Sequence, residues 1–402
     1  MGRRSGLSQE ELRRRNMSAL LSRVHVYGPI SRAALTAELG LNRSTIGDLT
    51  GQLEALGLVE EEAPSTTRRS GRPSLVVLPR QDVTVLAVAI DVDSISVALV
   101  ALGGSVIDRR RRTHQPASHD VRLVVESVAQ MAQELLALPD AGRCLGVGVS
   151  LPGAVRASDG VVRFAPNLGW HDEPFTALLS DELGMPVDSG NDADLGGLAE
   201  HTRGAAVGIN DVAFLNCRAG LGGGFLVGGT TMRGADGYAG EVGHVQVDSN
   251  GERCHCGAIG CWETKVGENH LLALAGRLPG GGAGAVDEVI AAAAAGDRRS
   301  QAAVDSVAEW IGVGMRAVVN VFNPSMIVLA GLLAQVWRAR EPLVRDALGH
   351  GMVIASLDGL RVTDSQLGYD VSMLGAAELA FAPLLADPVG LLGSSTRSAE
   401  GA

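Results

Sequence analysis

Residues 240–263 decide the fold of this chain, and they read GEVGHVQVDSNGERCHCGAIGCWE. Three cysteines fall within eight positions of this stretch, and its glycines let the backbone fold back around them. Three thiolates and one imidazole are the usual tetrahedral ligands of a structural zinc ion. The stretch therefore predicts a zinc site whose ligands are His244, Cys254, Cys256 and Cys261.

Other interpretations of these cysteines stay open at this point. A disulfide between Cys254 and Cys256 would be strained at that spacing, and a reducing compartment would disfavour it. Reactive or simply buried thiols are a second alternative. His255 could replace His244 as the imidazole ligand, but it stands between two ligands and is expected to point away.

Composition and charge predict more than one packing unit and an attached basic module. A chain of 402 residues exceeds one ordinary hydrophobic core. Residues 1–80 carry 12 Arg and 8 acidic residues, whereas the whole chain has a net charge of -11. A basic end on an acidic body favours a polyanion partner, and a solvated basic terminus is the alternative.

The chain is expected to be cytoplasmic and to have no membrane partner. It has no signal-peptide pattern at its start, and no run of about 18 uninterrupted apolar residues that could span a bilayer.

The first 80 residues are predicted to contain three short helices. Ser8 opens a capping-box pattern, and Ser31 and Asn42 are in position to cap two further helices. These two helices are expected to stop at Gly40 and Gly57, because glycine accepts the left-handed conformation that ends a helix. Three helices with a tight turn between the last two indicate a helix-turn-helix.

An arginine-rich loop between strand-like runs at 58–61 and 75–78 predicts a winged hairpin. The second helix of such a motif enters the DNA major groove through its first residues, and arginines on a thin loop suit a narrow minor groove. A dimerisation or docking domain with a solvated basic loop is the alternative. The predicted contacts to double-stranded DNA are Arg32, Asn42, Arg43, Ser44 and Thr45 in the helices, and Arg68, Arg69 and Arg72 in the loop.

From about residue 83 onward, long apolar strands alternate with helical stretches, a pattern typical of an α/β fold. Two segments, 83–106 and 211–232, each pair apolar strands around a polar or glycine-rich turn. This coarse repeat indicates two similar lobes, which would leave a cleft between them.

Several short motifs together resemble the ROK family, whose name joins repressors, open reading frames and kinases. They occur in the family's order: LPG at 151–153, PNLGW at 166–170, NDA at 191–193, GLGGG at 220–224, GEVGH at 240–244, the cysteines, and Asn-Pro at 323–324. The resemblance covers nearly the whole chain. It implies an α/β fold of the two-lobed, actin-like (ribonuclease-H-like) sugar-kinase type, preceded by a winged helix-turn-helix.

The resemblance also implies a division into four parts. Residues 1–80 would form the winged helix-turn-helix domain, and 81–190 the first lobe. Residues 191–387 would form the second lobe with the zinc site and a C-terminal helix that returns to the first lobe. Residues 388–402 are expected to be a disordered tail.

In the ROK family, sugar hydroxyls are held between the lobes. The residues implied as ligand-binding are Asn167, Asn191, Asp192, Glu241, His244 and Glu263. Carboxylates and amides suit vicinal hydroxyls, and buried groups that a wrong sugar leaves unpaired produce discrimination. A zinc-bound His244 would keep its other ring nitrogen free for a hydroxyl, so the metal would orient a sugar ligand.

Phosphoryl transfer is not expected from this chain. A kinase of the family would use Asp192 as the base and would need an Asp-x-Gly-Gly-Thr phosphate loop. Here Asp93 and Ser94 replace both glycines. Two unit charges about 4 Å apart repel by roughly 4 kcal/mol at an effective dielectric near 20, so Asp93 opposes nucleotide phosphates. ATP is therefore not expected as a cofactor.

These inferences lead to one functional hypothesis with two rivals. The hypothesis is a sugar-responsive repressor of carbohydrate uptake or catabolism genes, a homodimer or homotetramer that binds operator DNA and is released by a sugar or sugar derivative. The first rival is an active ATP-dependent, glucokinase-like sugar kinase. The second is a zinc-dependent scaffold that binds neither sugar nor operator.

Overall fold

The computed structural model describes residues 8–63, 74–113, 120–218, 220–350 and 358–392. It begins with three helices, α1 (Gln9–Tyr27), α2 (Arg32–Leu39) and α3 (Arg43–Ala55). The side chains of Ser8, Ser31 and Asn42 accept backbone N–H groups at the three N-termini, as the sequence predicted. Gly40 ends α2 in the left-handed conformation.

A small antiparallel sheet follows, made of β1 (Ile30–Ser31), β2 (Val59–Glu62) and β3 (Val76–Pro79) in the order β1-β3-β2. The hairpin of β2 and β3 was predicted from the sequence. Strand β1 was not, because two residues are too few to show an alternation of apolar and polar side chains. The loop with Arg68, Arg69 and Arg72 lies outside the described residues. Its DNA contacts therefore stay predictions.

The first lobe is built on a five-stranded sheet in the order β11-β7-β4-β5-β6. Its strands in chain order are β4 (Val83–Ile90), β5 (Ser94–Ala101), β6 (Val106–Thr113), β7 (Arg143–Leu151), β8 (Ala154–Val155), β9 (Val162–Ala165), β10 (Trp170–Glu173) and β11 (Val187–Asn191). Strands β8 to β10 form a separate three-stranded sheet. Its helices are α4 (Val121–Leu136) and α5 (Phe175–Leu183), and α6 (Asp192–Arg203) follows β11 and packs against strands of both lobes.

The second lobe contains another five-stranded sheet, in the order β14-β13-β12-β15-β16. Its strands are β12 (Val212–Cys217), β13 (Leu221–Val227), β14 (Thr230–Thr231), β15 (Met326–Gly331) and β16 (Arg361–Asp364). Its helices are α7 (Glu263–Val266), α8 (Glu268–Leu274), α9 (Gly282–Ala294), α10 (Arg298–Phe322) and α11 (Leu332–Gly349). The last named helix, α12 (Val371–Ala386), packs against β4 and β7 of the first lobe.

The two large sheets have the same topology. In each, a strand forms an antiparallel hairpin with the next strand and pairs in parallel with a later one: β4 with β5 and β7, and β12 with β13 and β15. The hairpins are those that the sequence indicated at 83–106 and 211–232. The two-lobed α/β fold is therefore present.

Helices α6 and α12 lie one on the other between the two sheets. A Cβ added to Gly224 of β13 would collide with the carbonyl of Ala193 in α6. One added to Gly375 of α12 would collide with the carbonyl of Leu195. Glycine lets the backbones approach this closely, so the lobes meet through one pair of tightly packed helices.

The N-terminal helices share a core with the first lobe. Met17, Leu21 and Val24 of α1 belong to the same buried apolar cluster as Val85 and Phe381. The Ser18 hydroxyl also donates to the carbonyl of Leu385 at 2.6 Å. The boundary expected at residue 80 is thus crossed by a continuous core.

The C-terminal boundary expected at residue 388 is too early. Residues 388–392 are helical, and Leu392 is 8% exposed within the same core as α1. Burial of this apolar side chain accounts for the extra helical turn. The predicted tail from residue 393 onward lies outside the described residues.

Among the described residues, one helical segment, Gly368–Ala386, is long and apolar enough to cross a membrane. Most of it is buried inside the protein, and it carries the buried carboxylate of Glu378. A central helix between two sheets has the same composition, because it is covered on several sides.

Candidate functional site

Four side chains from residues 244–261 come together as the sequence predicted. The ligand atoms of His244, Cys254, Cys256 and Cys261, here called the metal cluster, all lie within 4.8 Å of one another. The Nδ1 atom of His244 is 3.6 Å from the Cys254 Sγ, and the Sγ atoms of Cys256 and Cys261 are also 3.6 Å apart. Four ligands placed tetrahedrally about 2.0–2.3 Å from zinc would be separated by about 3.5–3.8 Å. The cluster therefore has dimensions that suit a metal ion.

Local structure holds this segment in place. The bridges Gln246↔Cys261 and Arg253↔Ile259 close it into a narrow loop. Gly260 has φ +70°, and a side chain there would collide with the Asp248 carbonyl. All five cysteines are free thiols. His255 is exposed and outside the metal cluster, so the geometry favours His244 as the imidazole.

His244 joins the metal cluster to a group of carboxylates. While its Nδ1 faces Cys254, its Nε2 lies 3.9 Å from Oε2 of Glu241. Glu263 is the first residue of α7, and its Oε2 accepts the Leu221 N–H at 2.9 Å. Burial raises the pKa of Glu241, His244 lowers it, and the charge of Glu263 raises it further. Three of the predicted ligand residues thus lie together.

The N-terminus of α6 contributes two more predicted residues. The Asn191 Oδ1 caps the helix, and its Nδ2 donates to the Gly153 carbonyl at 2.9 Å. Burial raises the pKa of Asp192 to about 6, with a smaller contribution from the charge of Asp91, while Arg218 lowers it. Asn191 is therefore a residue that shapes the site, and Asp192 supplies the carboxylate next to it.

Asn167 lies apart from this group in the exposed turn between β9 and β10. Within the described ranges no hydrogen bond joins it to the other five predicted residues. Its strand β9 pairs with β8 at Ala154↔Phe164, next to the glycine whose carbonyl Asn191 holds. Asn167 is thus at the edge of the site, and its role as a ligand stays a prediction.

The turn that would hold nucleotide phosphates in a kinase carries carboxylates. Asp91 pairs with Arg218 of the second lobe at 3.1 Å, and Asp93 is exposed beside it. Ser94 is buried and accepts a hydrogen bond from Arg111 at 3.1 Å. Burial raises the pKa of Glu268, and the charge of Asp93 adds to this. Several carboxylates, and not Asp93 alone, therefore place negative charge around the turn where a kinase would hold nucleotide phosphates.

The glycine run at 220–224 serves packing in this structure. Residues 221–224 belong to β13, and so do not form the glycine-rich turn that the sequence indicated. A Cβ on Gly222 would lie 2.8 Å from that of Ala193, and one on Gly223 would lie 2.7 Å from a methyl group of Val242. Helix α6 and the segment with Glu241 can therefore approach β13 closely.

The first turn of α3 is presented to solvent. Asn42, Arg43 and Ser44 are exposed and Thr45 is half-buried. The Asn42 Oδ1 accepts both the Thr45 N–H at 2.8 Å and the Ser44 hydroxyl at 2.7 Å, so this turn is ordered by its own cap. A basic side chain on an ordered helix N-terminus is suited to a phosphate or base edge.

Two observations on this surface go beyond the sequence. Arg32 is held by both carboxylate oxygens of Glu61 on β2, so two of its five N–H donors are used within the protein. Arg13 of α1 lines an open groove of about 640 Å³ along α3 with Thr45, Asp48 and Gln52. Arg13 was missed because it stands in a run of three arginines, and only packing selects the one that faces α3.

Comparison with known proteins agrees with this geometry. The ROK family model matches residues 85–382. The chain is 28% identical over 374 residues to a xylose repressor of Caldicellulosiruptor bescii, covering 89% of this chain and 93% of that protein. It is 26% identical over 382 residues to the dual regulator NagC of Escherichia coli K12, covering 90% and 91%.

Solved structures resemble either the whole chain or its body. A ROK family transcriptional regulator, a homologue of the E. coli Mlc protein, has a TM-score of 0.76 at 24% identity and covers 95% of this chain and 98% of its own. A ROK family glucokinase from Streptomyces griseus, in complex with glucose and AMPPNP, has a TM-score of 0.64 at 26% identity and covers 74% and 99%. The kinase therefore matches a smaller part of the chain than the regulator does.

Proposed function

Since this chain belongs to the ROK family, we propose that it is a sugar-responsive transcriptional repressor of carbohydrate uptake or catabolism genes. One observation carries the proposal: a helix-turn-helix shares a core with a two-lobed body in which His244 joins the metal cluster to a group of carboxylates. Several relatives that match about nine-tenths of the chain are named as repressors. A cytoplasmic location belongs to the same proposal.

The DNA-binding surface is the first turn of α3, with Arg43 as its exposed cation and Arg13 at the edge of the adjoining groove. The loop arginines 68, 69 and 72 would extend it into a minor groove. The protein would bind an inverted repeat as a homodimer or homotetramer, because two-fold operators match two-fold proteins.

The metal cluster is proposed to hold zinc through His244 Nδ1 and the three thiolates. When bound, zinc fixes the ring orientation of His244 and keeps the proton on its other nitrogen. Nε2 then faces Glu241 as a donor, and the two side chains can hold one hydroxyl between them.

The sugar is proposed to lie among Asp192, Glu241, His244 and Glu263. Three carboxylates and one imidazole suit a ligand that presents several hydroxyls, because each carboxylate oxygen accepts from one of them. D-xylose, D-glucose and N-acetylglucosamine are the candidates to test, since relatives are named xylose repressor and N-acetylglucosamine repressor.

The function is regulatory rather than catalytic. Asp192 stands where a kinase would place its base, but Asp93 and Ser94 replace the two glycines of the phosphate turn. Arg218 pairs with Asp91, the aspartate that the kinase motif also carries, so Asp93 is an additional carboxylate in this turn. Phosphoryl transfer needs electrostatic stabilisation of the phosphates, which a cluster of carboxylates opposes.

Operator binding with and without sugars tests the proposal. The full chain selects a DNA duplex from a random pool, and its affinity is measured by fluorescence anisotropy with each of the three sugars. One sugar is expected to weaken binding by roughly 5- to 150-fold. Arg43→Ala is expected to weaken operator binding by about 10-fold or more. The matched control Arg345→Ala removes an exposed arginine paired with Glu341 and should change nothing.

Two outcomes would overturn this proposal. One is binding that shows no sequence preference and no response to any sugar. The other is steady ADP release when the wild-type chain is mixed with ATP and the same sugars, which would favour the kinase.

A further inference from the structure

Helix α6 begins in the candidate ligand site and ends beneath the N-terminal helices. Asn191 caps it, Asp192 is its first residue and Arg203 its last. With 12 residues, α6 is about 18 Å long, and a helix of this length behaves as one rigid element. A displacement at Asp192 would therefore be passed to Arg203.

Arg203 joins three parts of the molecule. Its Nε donates to Oε1 of Glu378 on α12 at 2.6 Å, and its NH1 donates to the Gly103 carbonyl at 2.7 Å. Its NH2 lies 2.7 Å from Nε2 of His25 on α1. The ring of His25 accepts the Gly103 N–H at Nδ1, and its Nε2 is 2.9 Å from Oε2 of Glu378. We call His25, Arg203 and Glu378 the coupling cluster.

The coupling cluster is buried and matched in charge. His25 is 1% exposed and Glu378 is 5% exposed. Burial raises the pKa of Glu378, but His25 and Arg203 outweigh that effect and lower it overall. A buried charge that loses its partner is strongly unfavourable, so the cluster tolerates few arrangements. It is therefore sensitive to small displacements of any of its three helices.

Helix α6 is held by the second lobe near both of its ends. Glu200 near the end of α6 accepts the Ser365 hydroxyl at 2.5 Å and the Leu367 N–H at 3.2 Å, both from the second lobe. Glycines of β13 let the start of α6 pack on the same lobe. His25, by contrast, lies on α1, which shares its core with the first lobe. Because α6 packs on the second lobe as well as in this core, a change in the angle between the lobes can move Arg203 relative to His25.

We propose that α6 and the coupling cluster carry the ligand state of the sugar site to the DNA-binding helices. Sugar bound at Asp192 favours one angle between the lobes, Arg203 then changes its contacts with His25 and Glu378, and α1 with its attached α3 is displaced. Arg203 is a positioning residue in this scheme, because it touches neither sugar nor DNA. The inference rests on the proposed function and identifies the residues that connect its sugar site with its DNA-binding helices.

The test is the ratio of operator affinities without and with sugar, measured on the full chain. Arg203→Lys keeps the charge but cannot bond Glu378 and Gly103 with separate nitrogens of one rigid fork. D-xylose is the probe, or whichever sugar of the panel acts on the wild type. Arg203→Lys is expected to bind this sugar within about threefold of wild type, while the affinity ratio falls close to 1.

Two further variants complete the design. His25→Gln changes the other end of the same contact and is expected to lower the ratio in the same way, so it decides the question if Arg203→Lys does not fold. Arg340→Lys is the matched control, because Arg340 pairs with Asp305 within the second lobe. Its ratio should equal that of the wild type.

The outcomes separate this inference from the proposed function. If the wild type responds to sugar and Arg203→Lys and His25→Gln respond by the same factor, the route through the coupling cluster is wrong and the repressor proposal stands. If no sugar changes operator binding in the wild type, the proposed function fails and the inference fails with it.

Discussion

At the scale of single residues, His244 faces two different groups with its two ring nitrogens. Nδ1 faces Cys254 of the metal cluster, and Nε2 faces Glu241. The roles of His244 as a metal ligand and as a sugar ligand are predictions, made from the spacing of the cysteines and from the family's motif. His255 was the alternative to His244 because it stands between Cys254 and Cys256 in the chain, and only the folded loop shows that it is exposed and outside the metal cluster.

We expect Cys256→Ser to lower metal affinity on the order of 100-fold or more, since one of four ligands is lost. Metal content is measured by mass spectrometry after dialysis, and the sugar response by operator binding. Cys144→Ser is the control, because Cys144 lies outside the metal cluster with its Sγ near the Gly146 carbonyl. A metal-free variant that keeps the full sugar response would refute the role of the metal in orienting His244.

Asp194 gives the protein a pH-dependent stability. It is 9% exposed, and among the described residues its Oδ1 has no hydrogen-bond partner. Burial raises its pKa from 3.8 to about 7, with Arg233 opposing the shift. Because the folded state holds this proton more tightly than the unfolded state, stability falls as pH rises from about 4 to about 7 and is level above that.

Asp194→Asn removes this titration while keeping the shape of the side chain. We expect the variant to be more stable than wild type at pH 8 by about 1–3 kcal/mol, and the difference to disappear near pH 4. Thermal unfolding midpoints between pH 4 and pH 8 measure the effect. Asp181→Asn, an exposed change on α5, should follow the wild-type profile. Parallel profiles for Asp194→Asn and wild type would contradict the assignment.

At the scale of elements, local chemistry fixed the helix boundaries and tertiary packing fixed the strands. The caps at Ser8, Ser31 and Asn42 were readable because capping needs only residues within one turn. The glycine run of β13 was not readable as a strand, since glycine has little preference for strand structure. Glycines are needed in β13 because α6 approaches this strand closely, and that contact exists only in the folded molecule.

Gly224→Ala is expected to push α6 away from β13, because the new methyl group would collide with the Ala193 carbonyl. Overpacking of this kind costs about 1–3 kcal/mol or more, so the thermal unfolding midpoint should fall. The control is Gly51→Ala on α3, where a Cβ meets nothing within 4 Å and a gain of about 0.5–1 kcal/mol is expected. Equal midpoints for the wild type and Gly224→Ala would show that α6 can shift freely.

At the scale of the whole molecule, the N-terminal helices and the first lobe form one body, and α6 connects that body to the second lobe. Residues 1–80 were predicted to form a separate domain, because their charge and helix pattern differ from those of the rest of the chain. The core that α1 shares with α12 shows instead that these residues pack as one body with the first lobe. The N-terminal helices pack on the first lobe and contact α6 through the coupling cluster, so a change in lobe angle can reach them directly.

The sequence by itself determined the helix caps, the metal cluster, the loss of the phosphate-loop glycines and the family of the fold. Each of these depends on residues close together in the chain, where spacing fixes geometry. Only the tertiary structure decided the coupling cluster, in which His25 and Glu378 are 353 positions apart and Arg203 and Glu378 are 175 apart. No local periodicity links such distant residues, because their contact follows from how two sheets and two helices pack together.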